Sequence, residues 1–141
     1  MDRRKMLALL GLGTVAAPAL AAQPKSAARH SLILQVSDRD APRWQLVLSN
    51  ARNVQADLGP GNVQIEIVAY GPGLDMLKGE SPVAHGLAQA LDANVRLIAC
   101  ENTMQTTHVL REDMYGGIAY VQAGVTHIMK RQREGWAYIR P

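Results

Sequence analysis

The stretch that decides the fold of this 141-residue chain reads Val95-Arg96-Leu97-Ile98-Ala99-Cys100-Glu101-Asn102-Thr103. A short apolar run ends at Cys100, and residues suited to the start of a helix follow at once, which predicts a buried strand leading directly into a helix. In an open α/β sheet such a junction lies at the carboxyl edge, where ligands bind. Cys100 is therefore the candidate catalytic residue, with a thiol that faces solvent and a thiolate that the helix-start N–H groups favour.

Cys100 is also the only cysteine, so the chain cannot form an internal disulfide. Two interpretations stay open. A cysteine at a strand end is commonly a small buried hydrophobe, and the adjacent carboxylate of Glu101 would oppose thiolate formation. The position at the strand end and the helix-start amides favour a reactive thiol instead.

Outward from this junction, strands and helices alternate along the chain. The near-continuous apolar run 31–36 predicts a strand buried on both faces, and further strands are predicted at 63–70, 118–121 and 136–139. The first helix has an apolar face with helical spacing, formed by Trp44, Val47, Leu48, Ala51, Val54 and Leu58. Strands that alternate with helices in this way predict an α/β fold of three layers, with a parallel sheet between the helices.

Two elements carry more specific expectations. In the second strand, Gln64 and Glu66 alternate with apolar residues, which predicts a strand that is half-exposed at its start and more buried towards its end. In the last helix, the apolar residues predict which side faces the sheet. That inner face would consist of Val125, Ile128, Met129 and Gln132.

The first 21 residues are typical of an export signal. Arg3-Arg4-Lys5 precedes an apolar run over 6–15, and Ala19-Leu20-Ala21 fits a cleavage site, so the mature chain would begin at Ala22. The run is too short for a membrane anchor. The Asp2–Leu7 segment resembles the twin-arginine motif, with an ordinary general-secretion signal as the alternative. We therefore expect a periplasmic or otherwise exported protein with a disordered lead-in over 22–30 and a single domain over 31–141.

The charge of the mature chain limits its partners. Removing residues 1–21 leaves twelve basic and eleven acidic residues, a formal net charge of +1, so the high overall pI is partly due to the signal. Such a balance gives no support to nucleic-acid binding, which needs a clustered basic face.

Other candidate residues are expected near the same rim as Cys100. Gly71 and Gly73 follow the second strand in a turn that lacks the lysine of a P-loop and the third glycine of a dinucleotide site, so a tight turn is favoured. His108 would act as a base for the thiol or be a solvated residue. Asn50 and Asn53 would line the polar side of the first helix, or point at the rim or at a neighbouring subunit. The histidine spacings match no familiar metal motif, and no metal or cofactor is predicted.

Several segments together resemble one known family. Their order and spacing across about 31–141 are similar to those of the DsrE/F-like family, particularly its little-characterised YchN-like branch. The matching segments are Leu48–Asn53, 68–73, 100–103, 121–125 and 132–141.

The resemblance implies a doubly wound, mostly parallel sheet of about five strands and assembly into trimers or hexamers. It also implies that Cys100 matches the cysteine that carries a persulfide between proteins in sulfur-relay members, beside Asn102 and Thr103 on the rim. The expected function is thus a sulfur or thiol-redox carrier, sulfurtransferase-like if active, with a donor or acceptor protein as partner. The alternative is a non-catalytic small-ligand-binding or assembly module in which Cys100 is structural.

Overall fold

The computed structural model describes Gly13 and residues 28–141. Apart from Gly13, the predicted export signal and the lead-in up to residue 27 lie outside the described residues. At the end of the predicted lead-in, His30 is already the first residue of a strand. Within the described part of the chain, no helix combines the length and the apolar character that crossing a membrane requires.

Residues 28–141 form five strands and four α-helices. The strands are β1 (His30–Val36), β2 (Val63–Ala69), β3 (Arg96–Cys100), β4 (Ala119–Val121) and β5 (Ala137–Ile139). The helices are α1 (Ala41–Leu58), α2 (Ala84–Asp92), α3 (Glu101–Thr106) and α4 (Gly124–Arg133), and short 3₁₀ helices cover Pro60–Asn62, Gly71–Leu77 and Arg111–Asp113.

The sheet has the strand order β4-β3-β2-β1-β5, and all of its strand pairs are parallel. The first four strands step across the sheet in one direction, and the connection through α4 then returns across the sheet to place β5 beside β1. This confirms the predicted three-layer, doubly wound α/β fold. Because all five strands run the same way, their carboxyl ends, Cys100 among them, lie at one edge.

One face of the sheet packs against α1 and α2 in an extensive apolar core. The predicted inner side of α1 is confirmed, since Trp44, Val47, Leu48 and Ala51 are buried. In α2, Leu87 is fully buried against the same core. Packing on this face holds the strands in place, and the carboxyl edge of the sheet remains open.

The opposite face packs against α4, and the predicted inner side of that helix is right for Ile128 and wrong for its other three residues. The residues turned towards the sheet are Gly124, His127, Ile128 and Arg131, which follow the i, i+3, i+4, i+7 spacing of one helix face. Val125 and Met129 are 58% and 44% exposed, and Gln132 is exposed as well. The helix is rotated relative to the prediction because its histidine and its arginine pair with a carboxylate on the sheet.

That carboxylate belongs to Glu66, which was expected to lie on the exposed side of the second strand. Gln64 is exposed, but Glu66 is only 3% exposed, and every other residue of β2 is buried. The side chain lies under α4 with charged partners around it. β2 is therefore a central strand that is buried apart from Gln64, so the expected exposure near its start holds for Gln64 and is wrong for Glu66.

Candidate functional site

Two helices begin at the same corner of the sheet. Neighbouring strands β3 and β4 are each followed closely by a helix, α3 starting at Glu101 and α4 at Gly124. The two turns are tied together, since the Asn102 N–H donates to the Gln122 carbonyl at 3.0 Å and the Gln122 side chain donates to that of Asn102. The starts of both helices, with their N–H groups, therefore lie beside one small space.

Cys100 occupies that space, but its thiol does not face solvent as predicted. Its exposed fraction is 5%. Side chains alternate along a strand, so Cys100 lies on the same face as Ile98, beneath the start of α4. The protonated sulfur can donate to the Gln122 carbonyl, 3.7 Å away.

The surroundings of the sulfur favour its charged form. Burial alone would raise the pKa of the Cys100 thiol, but hydrogen bonds outweigh it and lower the pKa below its ordinary value. The donors are the backbone N–H groups of Gly124, Thr103 and Asn102 and the hydroxyl of Thr103. Donors from α3 and α4 together thus stabilise a thiolate that is largely screened from water.

Glu101, the expected opponent of the thiolate, is turned elsewhere. Its carboxylate pairs with the Arg111 guanidinium at 2.7 Å, and that guanidinium stacks on the Tyr120 ring at 4.2 Å. A paired carboxylate exerts less repulsion on a nearby anion than a free one. The main sequence-based objection to a reactive Cys100 is therefore weakened.

A cleft of about 530 Å³ opens at the carboxyl edge beside this corner. Three predicted rim residues line it, namely Gly71, Asn102 and Thr103, and the Gly71 N–H donates to the Thr103 hydroxyl at 2.9 Å. Cys100 does not line the cleft. Since the Thr103 hydroxyl also helps to lower the pKa of the Cys100 thiol, one side chain links the cleft to the thiol.

Charged side chains line the mouth of the cleft. Arg39 and Lys78 both pair with Asp75, at 2.6 and 2.7 Å. Burial would raise the pKa of Asp75, but these two cations outweigh it and lower that pKa. Two cations and one carboxylate leave this wall with an excess of positive charge.

The other predicted rim residues lie apart from this cleft. Gly73 is buried, and a Cβ there would lie 2.4 Å from the Val36 carbonyl oxygen, so its role is close packing under the turn. His108 is exposed with a φ of +56°, and it neither lines the cleft nor bonds the thiol. Asn50 is half-buried and Asn53 exposed on α1, away from the cleft lining.

A cluster around the buried Glu66 carboxylate was not predicted from the sequence, and we call it the Glu66 cluster: Glu66, Arg96, His127 and Arg131. The Glu66 carboxylate oxygens lie 2.8 Å from His127 Nε2, 2.8 and 3.0 Å from two Arg131 nitrogens, and 3.2 Å from Arg96 Nη1. A glutamate inside an otherwise apolar strand, with basic residues one turn apart in a later helix, was the available signal. Among residues 28–141, no group of three or more His, Cys, Asp or Glu side chains could hold a metal ion.

Comparison with solved structures gives two similar proteins. MTH1491 of Methanobacterium thermoautotrophicum, a protein of unknown function, is 38% identical, with 79% of this chain and 99% of that one covered at a TM-score of 0.76. The ychN protein of E. coli is 10% identical over 80% of this chain and 99% of its own, at a TM-score of 0.64, which shows a shared fold. No protein-family model and no curated protein sequence matches the chain.

Proposed function

The chain belongs to the same family as MTH1491 and has the YchN/DsrE-like fold, and from this premise we propose that it carries sulfur on Cys100. The observation that supports the proposal most is the ring of donors around the sulfur. N–H groups from the starts of α3 and α4 and the Thr103 hydroxyl favour the thiolate, which is the nucleophilic form.

The carrier step is an exchange between sulfur atoms. The Cys100 thiolate attacks the outer sulfur of a donor persulfide, a new S–S bond forms on Cys100, and the donor S–S bond breaks. The donor leaves as a thiolate, so no net oxidation or reduction takes place. An acceptor thiolate then takes the outer sulfur in the same way, and Cys100 is regenerated.

Burial of Cys100 fits this role in one respect and constrains it in another. A sulfur that is 5% exposed is protected from oxidants, which matters for a persulfide in an oxidising compartment. The same burial means that a donor must reach the sulfur past the Gln122 and Gly124 backbone. With no second cysteine in the chain, the acceptor must be another protein or a small thiol.

Sulfur loading tests the carrier. Native protein is incubated with a low-molecular-weight persulfide, and its intact mass is measured before and after treatment with a dithiol. We expect a gain of about 32 Da per sulfur atom that the dithiol removes. Cys100→Ser is the control and should gain nothing. If the native wild-type protein gains no mass while the unfolded protein does, the carrier proposal fails.

We also propose that residues 1–21 direct export, so that the carrier works in the periplasm or another exported location. The pattern of charges, apolar run and small residues supports this. The mass of the protein recovered from its own cells should correspond to a chain that begins at Ala22. If the twin-arginine route is used, replacing Arg3 and Arg4 with lysines should make the uncleaved precursor accumulate. Recovery of the wild-type protein with residues 1–21 still attached would contradict export.

Assembly into a homo-oligomer, a trimer or hexamer, is proposed as well. Exposed apolar side chains support it: Val125 and Met129 lie one turn apart on the outer side of α4, and Tyr138 and Ile139 on the edge strand β5. Light scattering at micromolar concentration should give a multiple of the monomer mass. Val125→Ser with Met129→Ser should shift it towards the monomer, and a sharp wild-type monomer would contradict the proposal.

A second candidate function is the binding of a small anion, without catalysis, in the cleft of about 530 Å³. Its support is the excess of positive charge from Arg39 and Lys78 over Asp75. Inorganic phosphate, added during an NMR titration, should shift the Thr103 and Lys78 signals, and Lys78→Gln should weaken the effect. In this case Cys100→Ser would leave binding unchanged. A cleft that does not respond to phosphate would contradict this second function.

A further inference from the structure

The start of α4 is the part of the molecule that covers Cys100. Gly124, the first residue of the helix, is buried, and its N–H helps to lower the pKa of the Cys100 thiol. The Gln122 carbonyl, two residues before it, lies 3.7 Å from the sulfur. A Cβ on Gly124 would lie 3.2 Å from Val68 and 3.3 Å from Tyr70, so the backbone sits directly on the end of β2. The position of α4 on the sheet therefore decides whether this donor reaches the sulfur.

Little apolar packing holds α4 in that position. Of the residues that turn towards the sheet, Ile128 is the only large buried hydrophobe. On the same side of α4, His127 and Arg131 both bind the Glu66 carboxylate, whose side chain is 4% exposed. The Arg131 guanidinium also stacks on the Trp136 ring at 4.5 Å, which joins α4 to the chain that leads into β5.

We propose that the Glu66 cluster is a clamp that holds α4 on the sheet and so keeps the Gly124 N–H against the Cys100 sulfur. Glu66 is thus a positioning residue, which acts on the thiol through the helix. Burial alone would raise the pKa of Glu66, but its hydrogen bonds to Arg131 and His127 lower it, so the carboxylate is charged when the clamp is closed. The inference deepens the proposed carrier function, since it concerns the same thiol.

The direction in which the pKa of Cys100 moves when Glu66 is replaced distinguishes the clamp from a simple effect of charge. Removing the negative charge of Glu66 would, through space alone, favour a nearby thiolate and lower its pKa. Loosening α4 would withdraw the Gly124 donor and raise the same pKa. The other charged group close to Cys100 in the chain is Glu101, which Arg111 neutralises, and the first turn of α4 carries no acidic residue.

The test compares Glu66→Gln with Glu134→Gln. Glu134 also pairs with Arg131, at 2.8 Å, but its side chain is 52% exposed, so its loss leaves α4 attached. The pKa of Cys100 is measured from thiolate absorbance, with Cys100→Ser spectra subtracted to remove the tyrosines. We expect Glu66→Gln to raise the pKa of Cys100 by about one unit, which makes the ratio of thiolate to thiol tenfold smaller at any fixed pH. Glu134→Gln should leave this pKa unchanged.

A second measurement, the rate of alkylation, tests how well α4 shields the Cys100 thiol. At a pH above both thiol pKa values, alkylation of native Glu66→Gln should be several-fold faster than that of the wild type, because a loosened α4 exposes the sulfur. Arg131→Met approaches the clamp from the helix side and leaves Glu66 with Arg96 and His127. It should raise the thiol pKa and speed alkylation too, and it decides the question if Glu66→Gln does not fold.

The outcomes separate the clamp from the carrier. A wild-type protein that takes up no sulfur, but whose thiol pKa rises in Glu66→Gln, ends the carrier and keeps the clamp. A wild-type protein that takes up sulfur, with a thiol pKa that stays the same or falls in Glu66→Gln, ends the clamp and keeps the carrier. Equal effects of Glu66→Gln and Glu134→Gln would also overturn the clamp.

Discussion

Among residues 28–141, twenty-three buried apolar residues form the core on the face that α1 and α2 cover, whereas four form the core beneath α4. The first face is held by packing, which is non-directional and tolerant of small changes. The second is held largely by one buried carboxylate and its cationic partners, whose geometry is directional. Cys100 lies on the second face, so the proposed carrier would have its thiol beneath the helix that these polar contacts join to the sheet.

The largest expected difference between the faces concerns stability. Leu87→Ala, in α2, should cost about 3–4 kcal/mol of unfolding free energy, because Leu87 is fully buried in the large core. Ile128→Ala, in α4, should cost about 2 kcal/mol, since the smaller cluster loses fewer contacts. Urea unfolding of the two variants beside the wild type measures both. Equal costs, or the reverse order, would show that α4 is held by packing after all.

Lowering the pH should weaken the contacts that hold α4 on the sheet more than it weakens the core beneath α1 and α2. The folded pKa of Glu66 lies below its ordinary value of 4.5, because its hydrogen bonds to Arg131 and His127 outweigh burial. Its contribution to stability is therefore fully present above that value and is lost as the pH falls through the folded pKa. Breaking these charge-assisted bonds should cost on the order of 1–3 kcal/mol.

Unfolding measured between about pH 5 and pH 3 checks this, with Glu66→Gln as the control. The stability difference between wild type and Glu66→Gln should shrink across that range. A difference that stays constant would mean that the carboxylate does not stabilise the folded state through its charge.

How much of this could be read from the sequence differs between the two faces. The apolar period of Trp44, Val47, Leu48 and Ala51 predicts α1 correctly, because its inner side is hydrophobic. In α4 the same reasoning put Val125 and Met129 inside, and it failed because a buried Glu66 draws polar residues inward. Hydrophobic periodicity cannot reveal an ionic contact between residues more than sixty positions apart.

The candidate site also has features that local sequence predicts and features that depend on long-range contacts. The junction at Cys100 places the thiol at the carboxyl edge from local sequence alone. Its burial depends on which face α4 covers, and that follows from β5 pairing with β1, a long-range contact. The second set of donors, from Gly124, likewise depends on β4 pairing with β3.

The smallest expected effect on stability is that of Cys100→Ser. A serine hydroxyl can accept from the same N–H groups and donate to the Gln122 carbonyl, so the cost at neutral pH should stay within about 1 kcal/mol. Because the folded pKa of Cys100 is lowered, its thiolate adds stability that grows as the pH rises through that pKa and is complete above the ordinary thiol value. The gap between wild type and Cys100→Ser should therefore widen at alkaline pH in urea unfolding. A gap independent of pH would argue for a purely structural cysteine.

The rate of native-state alkylation of Cys100 against pH tests most directly the claim that two helix starts hold a reactive thiolate. The profile of the folded wild type should rise with an apparent pKa below that of the same thiol in urea. Gly124→Ala, whose Cβ would press on Val68 and Tyr70 and displace the α4 donor, should move the profile back towards the unfolded one. A thiol that reacts only once the protein unfolds, or that titrates at the same pH folded and unfolded, would contradict the account.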